Sequence, residues 1–129
     1  MRYHTTLLSL MILALCGCSK PTHPPTEISE RLATADRVVV LTNHFHAFGS
    51  IVAGEDVSRL AKAVASAKHY SLPAEAMFDW DVAFYKGTNA LAIIHLQGRG
   101  FWLEDTEYVD ETEVLNAFSQ KLVNEERGR

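Results

Sequence analysis

Cysteine is scarce in this chain: it has two, Cys16 and Cys18, both close to the N-terminus. Anything folded beyond that point has no thiol for a disulfide, a thiolate metal site or a cysteine nucleophile, so its core must hold without a covalent staple. Long apolar runs are also missing. The stretch Leu7–Gly17 falls short of the about 20 residues that a membrane-spanning helix needs, and Lys20, Pro21, Pro24 and Pro25 follow it closely. Positive charge is in deficit, with 12 Lys and Arg against 16 Asp and Glu and a net charge of −4. That balance argues against nucleic acid or anionic headgroups as partners, because both need clustered Lys and Arg. No Gly-x-Ser-x-Gly elbow surrounds Ser50, Ser58, Ser66, Ser71 or Ser119, and Gly98-Arg99-Gly100 is too short to cradle a phosphate. An enzyme is therefore unsupported, and no cofactor is expected.

What is present at the N-terminus is a three-part pattern. Met1–His4 carries one positive charge at Arg2, Leu7–Leu15 is apolar except for Ser9, and Leu15-Cys16-Gly17-Cys18 follows. The tetrapeptide resembles the lipobox of bacterial lipoproteins, with an aliphatic residue three before the cysteine and small residues between. The resemblance implies that Cys18 takes a diacylglycerol and becomes the new N-terminus, carrying two or three acyl chains, and two or more chains anchor stably. Cys16 fits less well, since Leu15 would then stand beside the cut. Ser19, rather than Asp, follows the cysteine, which by the sorting rule of such lipoproteins implies the periplasmic face of the outer membrane in a Gram-negative cell. The expected organisation is a signal peptide over 1–17, a lipid-anchored Pro-rich linker over 18–26, one globular domain over 27–124 and a charged tail over 125–129. Cleavage would leave 112 of the 129 residues and, by removing Arg2, a net charge of −5. That length suffices for one small core.

Along the domain, Glu27–Thr34 can form a helical turn or two, with Ile28 and Leu32 on one face. Arg37–Thr42, a nearly continuous β-branched run, predicts a central strand, and Ser50–Ala53 a short one. Glu55–His69 predicts a helix: Val57, Leu60, Ala61 and Val64 follow its spacing, acids open it, and Lys68 and His69 suit the negative end of its dipole. Trp80, Val82 and Phe84 alternate with Asp81, Ala83 and Tyr85, the period of a strand with one core face. Turn residues at 86–89, 97–100 and 105–106 then divide three further strands of a meander. Asp110 and Glu113 have the spacing of a capping box for a last helix striped by Val114, Leu115, Phe118 and Leu122, ending near Asn124. These elements predict an α+β fold, a mostly antiparallel sheet of four or five strands with two longer helices packed on one face.

Two clusters carry possible chemistry. His44 and His46 form an i, i+2 pair that in extended chain projects both imidazoles to one side, the beginning of a Zn or Cu site; their spacing to His23, His69, His95, Asp79 or Asp81 singles out no third ligand. The second is acidic. Glu104, Asp105, Glu107, Asp110, Glu111 and Glu113 put six acids in ten residues. Capping and dipole interactions account for the last three, which leaves Glu104, Asp105 and Glu107, with Trp102 and Tyr108, as a candidate surface for a basic protein partner. The favoured expectation is thus a lipid-anchored, non-enzymatic binding module of the bacterial envelope. A metal-binding protein using His44 and His46, and an inhibitor or immunity-type lipoprotein acting on a basic partner, are the alternatives.

Overall fold

A computed structural model of the chain describes residues 22–41, 47–51, 54–71 and 80–128. In order these form α1 (Thr26–Leu32), β1 (Arg37–Leu41), β2 (Ala47–Ile51), α2 (Gly54–Ala65), β3 (Lys68–His69), β4 (Trp80–Lys86), β5 (Asn89–Gln97), β6 (Gly100–Leu103), β7 (Thr106–Val109) and α3 (Val114–Arg127). The fold is α+β. Among the described residues the strands make one antiparallel sheet in the spatial order β2-β1-β4-β5-β6-β7-β3.

The sheet has seven strands where the sequence pattern predicts four or five. β3 accounts for part of the difference. The charges of Lys68 and His69 suit a helix C-terminus, yet α2 stops at Ala65, where the Ser66 hydroxyl turns back to the Lys62 carbonyl at 2.8 Å. The two residues then pair with Val109 and Tyr108 of β7. A two-residue strand has no periodicity of its own, so only its tertiary partner defines it. β2 likewise lies at Ala47–Ile51, earlier than the predicted Ser50–Ala53.

Alternation along the strands decides the core. Val38 and Val40 of β1, Val82 and Phe84 of β4, Ile94 and Leu96 of β5, Phe101 and Leu103 of β6 and Tyr108 of β7 are buried in one cluster with Ile28 and Leu32 of α1, Val57, Leu60, Ala61 and Val64 of α2, and Leu115 and Val123 of α3. All three described helices therefore cover one face of the sheet. Trp80 packs against this cluster at its rim. Phe84 is fully buried, which places the predicted Trp80, Val82 and Phe84 face toward the helices.

α3 starts differently from the predicted capping box. Glu113 sits just before the helix at φ 60°, and its carboxylate lies 3.9 Å from Arg99 instead of reaching back to Asp110. Asp110 does the work alone. Its buried carboxylate accepts hydrogen bonds from the Leu115 and Thr112 backbone N–H groups, each at 3.0 Å, and from the Thr112 hydroxyl. α3 then continues through Arg127, past the predicted end near Asn124. At the other end of the described chain, the Thr22 carbonyl accepts a hydrogen bond from the His69 N–H at 2.7 Å, His23 Nδ1 meets the Ala67 carbonyl at 2.9 Å, and Pro24 is buried.

Candidate functional site

Because successive strand residues point to opposite sides, the face away from the helices is defined by the same registers. Across it runs one row, Leu41 beside Asp81, Asp81 beside His95, His95 beside Trp102, and Trp102 beside Glu107. A second row sets Val39 and Ile93 on either side of Ala83. Ala83 between them is fully buried. Ile93 itself is 43% exposed.

A bulge creates the first row. The turn at Gly87 and Thr88 pairs Lys86 with Asn89 and Tyr85 with Ala90, but the next pair is Phe84 with Ala92. The slip places Asp81 opposite His95; continued without it, the register would face Asp81 with Ile94, which belongs to the core. The resulting contact is close: His95 Nδ1 lies 2.5 Å from Asp81 Oδ1. The Asp81 side chain is 16% exposed and that of His95 48%, so the carboxylate is the inner member and orients the ring. With Nδ1–H donating to Asp81, the tautomer of the neutral imidazole is fixed.

His95, Ile93 and Trp102 line a shallow cavity of about 400 Å³ together with Glu104 and Asp105. The two acids form the two-residue connection between β6 and β7, with Leu103 paired to Thr106 across it. Both have positive φ, 47° and 65°. A tight hairpin with positive φ at both central residues follows strand twist but favours Asn-Gly; here two carboxylates occupy it. Glu104 also lies 3.7 Å from Arg31 at the end of α1, both exposed. The cavity thus combines an indole, an aliphatic side chain, an oriented imidazole and two carboxylates. Among the described residues its lining has no hydroxyl or thiol nucleophile, and the arrangement suits binding of a cationic group with an apolar stem.

Of the residues expected on a partner surface, Trp102, Glu104 and Asp105 come together in this cavity and Glu107 joins the same row. Tyr108 does not. It is 2% exposed on the opposite face, stacked on Phe101 at 5.6 Å between centroids, with His69 edge-on at 6.4 Å. Its register partner is Phe101, whereas Trp102 pairs with Glu107, so Tyr108 is a core residue rather than a surface one. Burial pushes its phenol above the ordinary value, a hydrogen bond with the Thr106 side chain opposes the rise, and the charge of Glu104 adds to it.

Cys18, His44, His46 and Asp79 lie outside the described residues. Among the described residues, no group of three or more His, Cys, Asp or Glu side chains is placed to hold a metal ion, and no helix is long and apolar enough to cross a membrane. Sequence reasoning missed the Asp81–His95 pair and Ile93. The bulge that joins Asp81 to His95 leaves no mark in composition. Comparison with protein-family models, curated proteins and solved structures found no match to the chain.

Proposed function

We propose that the chain is a small bacterial envelope lipoprotein, anchored through acyl chains on Cys18, whose sheet face opposite the described helices binds a basic protein partner. The observation that carries the binding half is the cavity itself: exposed Ile93 and partly buried Trp102 share it with the carboxylates of Glu104 and Asp105. An Arg or Lys side chain can lay its methylenes on Ile93, present its charge to the indole face and complete its hydrogen bonds on the acids. The net charge of −4 steers such a partner from a distance. Where that partner is an enzyme, capture at this face would make the protein an inhibitor. The anchoring half is supported by the lipobox-like Leu15-Cys16-Gly17-Cys18.

Each half has its own test. Replacing Cys18 by Ala should release the protein from the membrane fraction and change its mass; an unchanged membrane-bound protein refutes the anchor. For the face, the tethered protein is used to isolate its partner from the native envelope. Trp102→Ala, and separately the triple change Glu104→Gln, Asp105→Asn and Glu107→Gln, should weaken capture, and the triple change should also flatten its salt dependence. Equal capture by parent and variants at low and high salt refutes the site.

A further inference from the structure

Among the described residues the sheet ends in β2 on one side and β3 on the other, and the chain treats these two edges differently. β3 is two residues long, its His69 N–H is taken by the Thr22 carbonyl at 2.7 Å, and Lys68 pairs with Glu111 at 3.3 Å. Brevity, a covering segment and charge are three of the devices that keep a sheet edge from pairing with another chain. Among the described residues β2 has none of these three, although its pairing with β1 slips by one residue at Phe48, between Val40–Gly49 and Leu41–Ala47. It is five residues, Ala47-Phe48-Gly49-Ser50-Ile51, without charge or proline, bonded to β1 on one side. Among the described residues no strand pairs with its other side. In an antiparallel ladder about half of a strand's N–H and C=O groups point to each side, so the regularly paired part of β2, Gly49–Ile51, offers directed donors and acceptors.

We propose that this edge is a self-association surface, on which a second copy of the chain adds its own β2 in antiparallel pairing about a two-fold axis. Three observations favour a second copy over a peptide from another protein. An antiparallel edge is its own complement, since residue i meets j while j meets i. The chain has a net charge of −4 but β2 has none, so two copies meet here without opposing like charges along the strand. Finally, α3 packs over β2, with Leu122 Cδ2 3.4 Å from where a Cβ on Gly49 would lie, and Leu122 remains half-buried at that edge. Edge pairing in a dimer brings the partner's equivalent helix toward Leu122, whereas an isolated peptide strand leaves it uncovered.

Two differently tagged full-length copies, co-expressed and solubilised in mild detergent, test the proposal. Capture of one tag should recover the other. Ser50 is exposed, so Ser50→Lys adds a charge on each side of the axis without filling the core; it should lower co-capture at least tenfold while circular dichroism and the unfolding midpoint stay as in the parent. Lys68→Ala at the opposite edge should leave co-capture unchanged. Absence of co-capture by the parent, co-capture that survives Ser50→Lys, or recovery of a different protein in place of the second copy each overturns the assignment. Should Ser50→Lys unfold the chain, amide exchange of the parent decides. Protection at 49–51 should fall on dilution, and protection independent of concentration overturns the proposal.

Discussion

Removing the Asp110 carboxylate should destabilise the domain more than its surface-like sequence context suggests. Asp110 is 1% exposed, and its oxygens serve two backbone donors at 3.0 Å, one of them Leu115, itself fully buried in the first turn of α3. In Asp110→Ala the Leu115 N–H stays where it is and loses its acceptor. An unsatisfied buried donor costs about 1–3 kcal/mol, and loss of helix capping about 1 kcal/mol. Thr112 is exposed, so its amide and hydroxyl return to water and add little. The expected loss is about 2–4 kcal/mol, a large share of the about 5–15 kcal/mol typical of a small domain. Asp110→Asn keeps one acceptor oxygen and should cost roughly half as much. In urea, at about 1.5 kcal/mol per molar, the alanine variant should unfold about 1.3–2.7 M earlier. A loss below about 1 kcal/mol, or an asparagine variant as unstable as the alanine one, would mean that water reaches the site and the burial argument fails.

Three further outcomes are expected. Phe84→Ala should cost about 3–5 kcal/mol in a denaturant melt, because a fully buried ring between β1 and β5 leaves a cavity; a loss below about 1 kcal/mol would mean that the β4 register is inverted. The Tyr108 phenol is raised above its ordinary value of 10.0 mainly by burial. Above that value the unfolded chain gives up the proton before the folded one does, so the neutral ring's contribution is complete below pH 10 and lost as pH rises through the folded value. Thermal melts of parent and Tyr108→Phe should diverge in slope there, and parallel curves contradict the assignment. Glu104→Asn with Asp105→Gly, which suit the left-handed turn, should raise stability by about 1–2 kcal/mol while weakening partner capture; a neutral or destabilised double variant argues against the turn geometry.

Where the chain carries its own periodicity, the sequence suffices. The valines of β1, the alternation of β4 and the Val57, Leu60, Ala61, Val64 stripe of α2 each declare their buried side locally, and the structure packs them as one core. What depends on pairing is invisible until partners meet. Lys68 and His69 satisfy helix rules and sheet rules alike, and only Val109 and Tyr108 decide between them. Tyr108 looks like a neighbour of Trp102 in an aromatic, acidic stretch, but the β6–β7 register sends the two rings to opposite faces. The Asp81–His95 contact depends on one extra residue in β5. Trp102, Glu104 and Asp105 were legible as a group because they flank a single turn; the imidazole and Ile93 that complete their cavity come from a different strand.

The hydrogen bonds that hold Thr22 and His23 to the far edge of the sheet alter how an anchored molecule would search its surroundings. If Cys18 carries lipid, as we propose, the chain between anchor and domain is not the whole proline-rich stretch but the four residue steps from Cys18 to Thr22, which reach at most about 14 Å. A leash that short keeps the domain beside the headgroups and nearly abolishes its vertical excursion. Encounter with a partner held in the same leaflet then becomes diffusion in a plane, at an effective concentration far above that of the free protein, so even a weak cavity can be filled most of the time. A partner seated deeper than the leash allows is out of reach whatever its affinity. Inserting flexible residues after Lys20 would exchange the first property for the second.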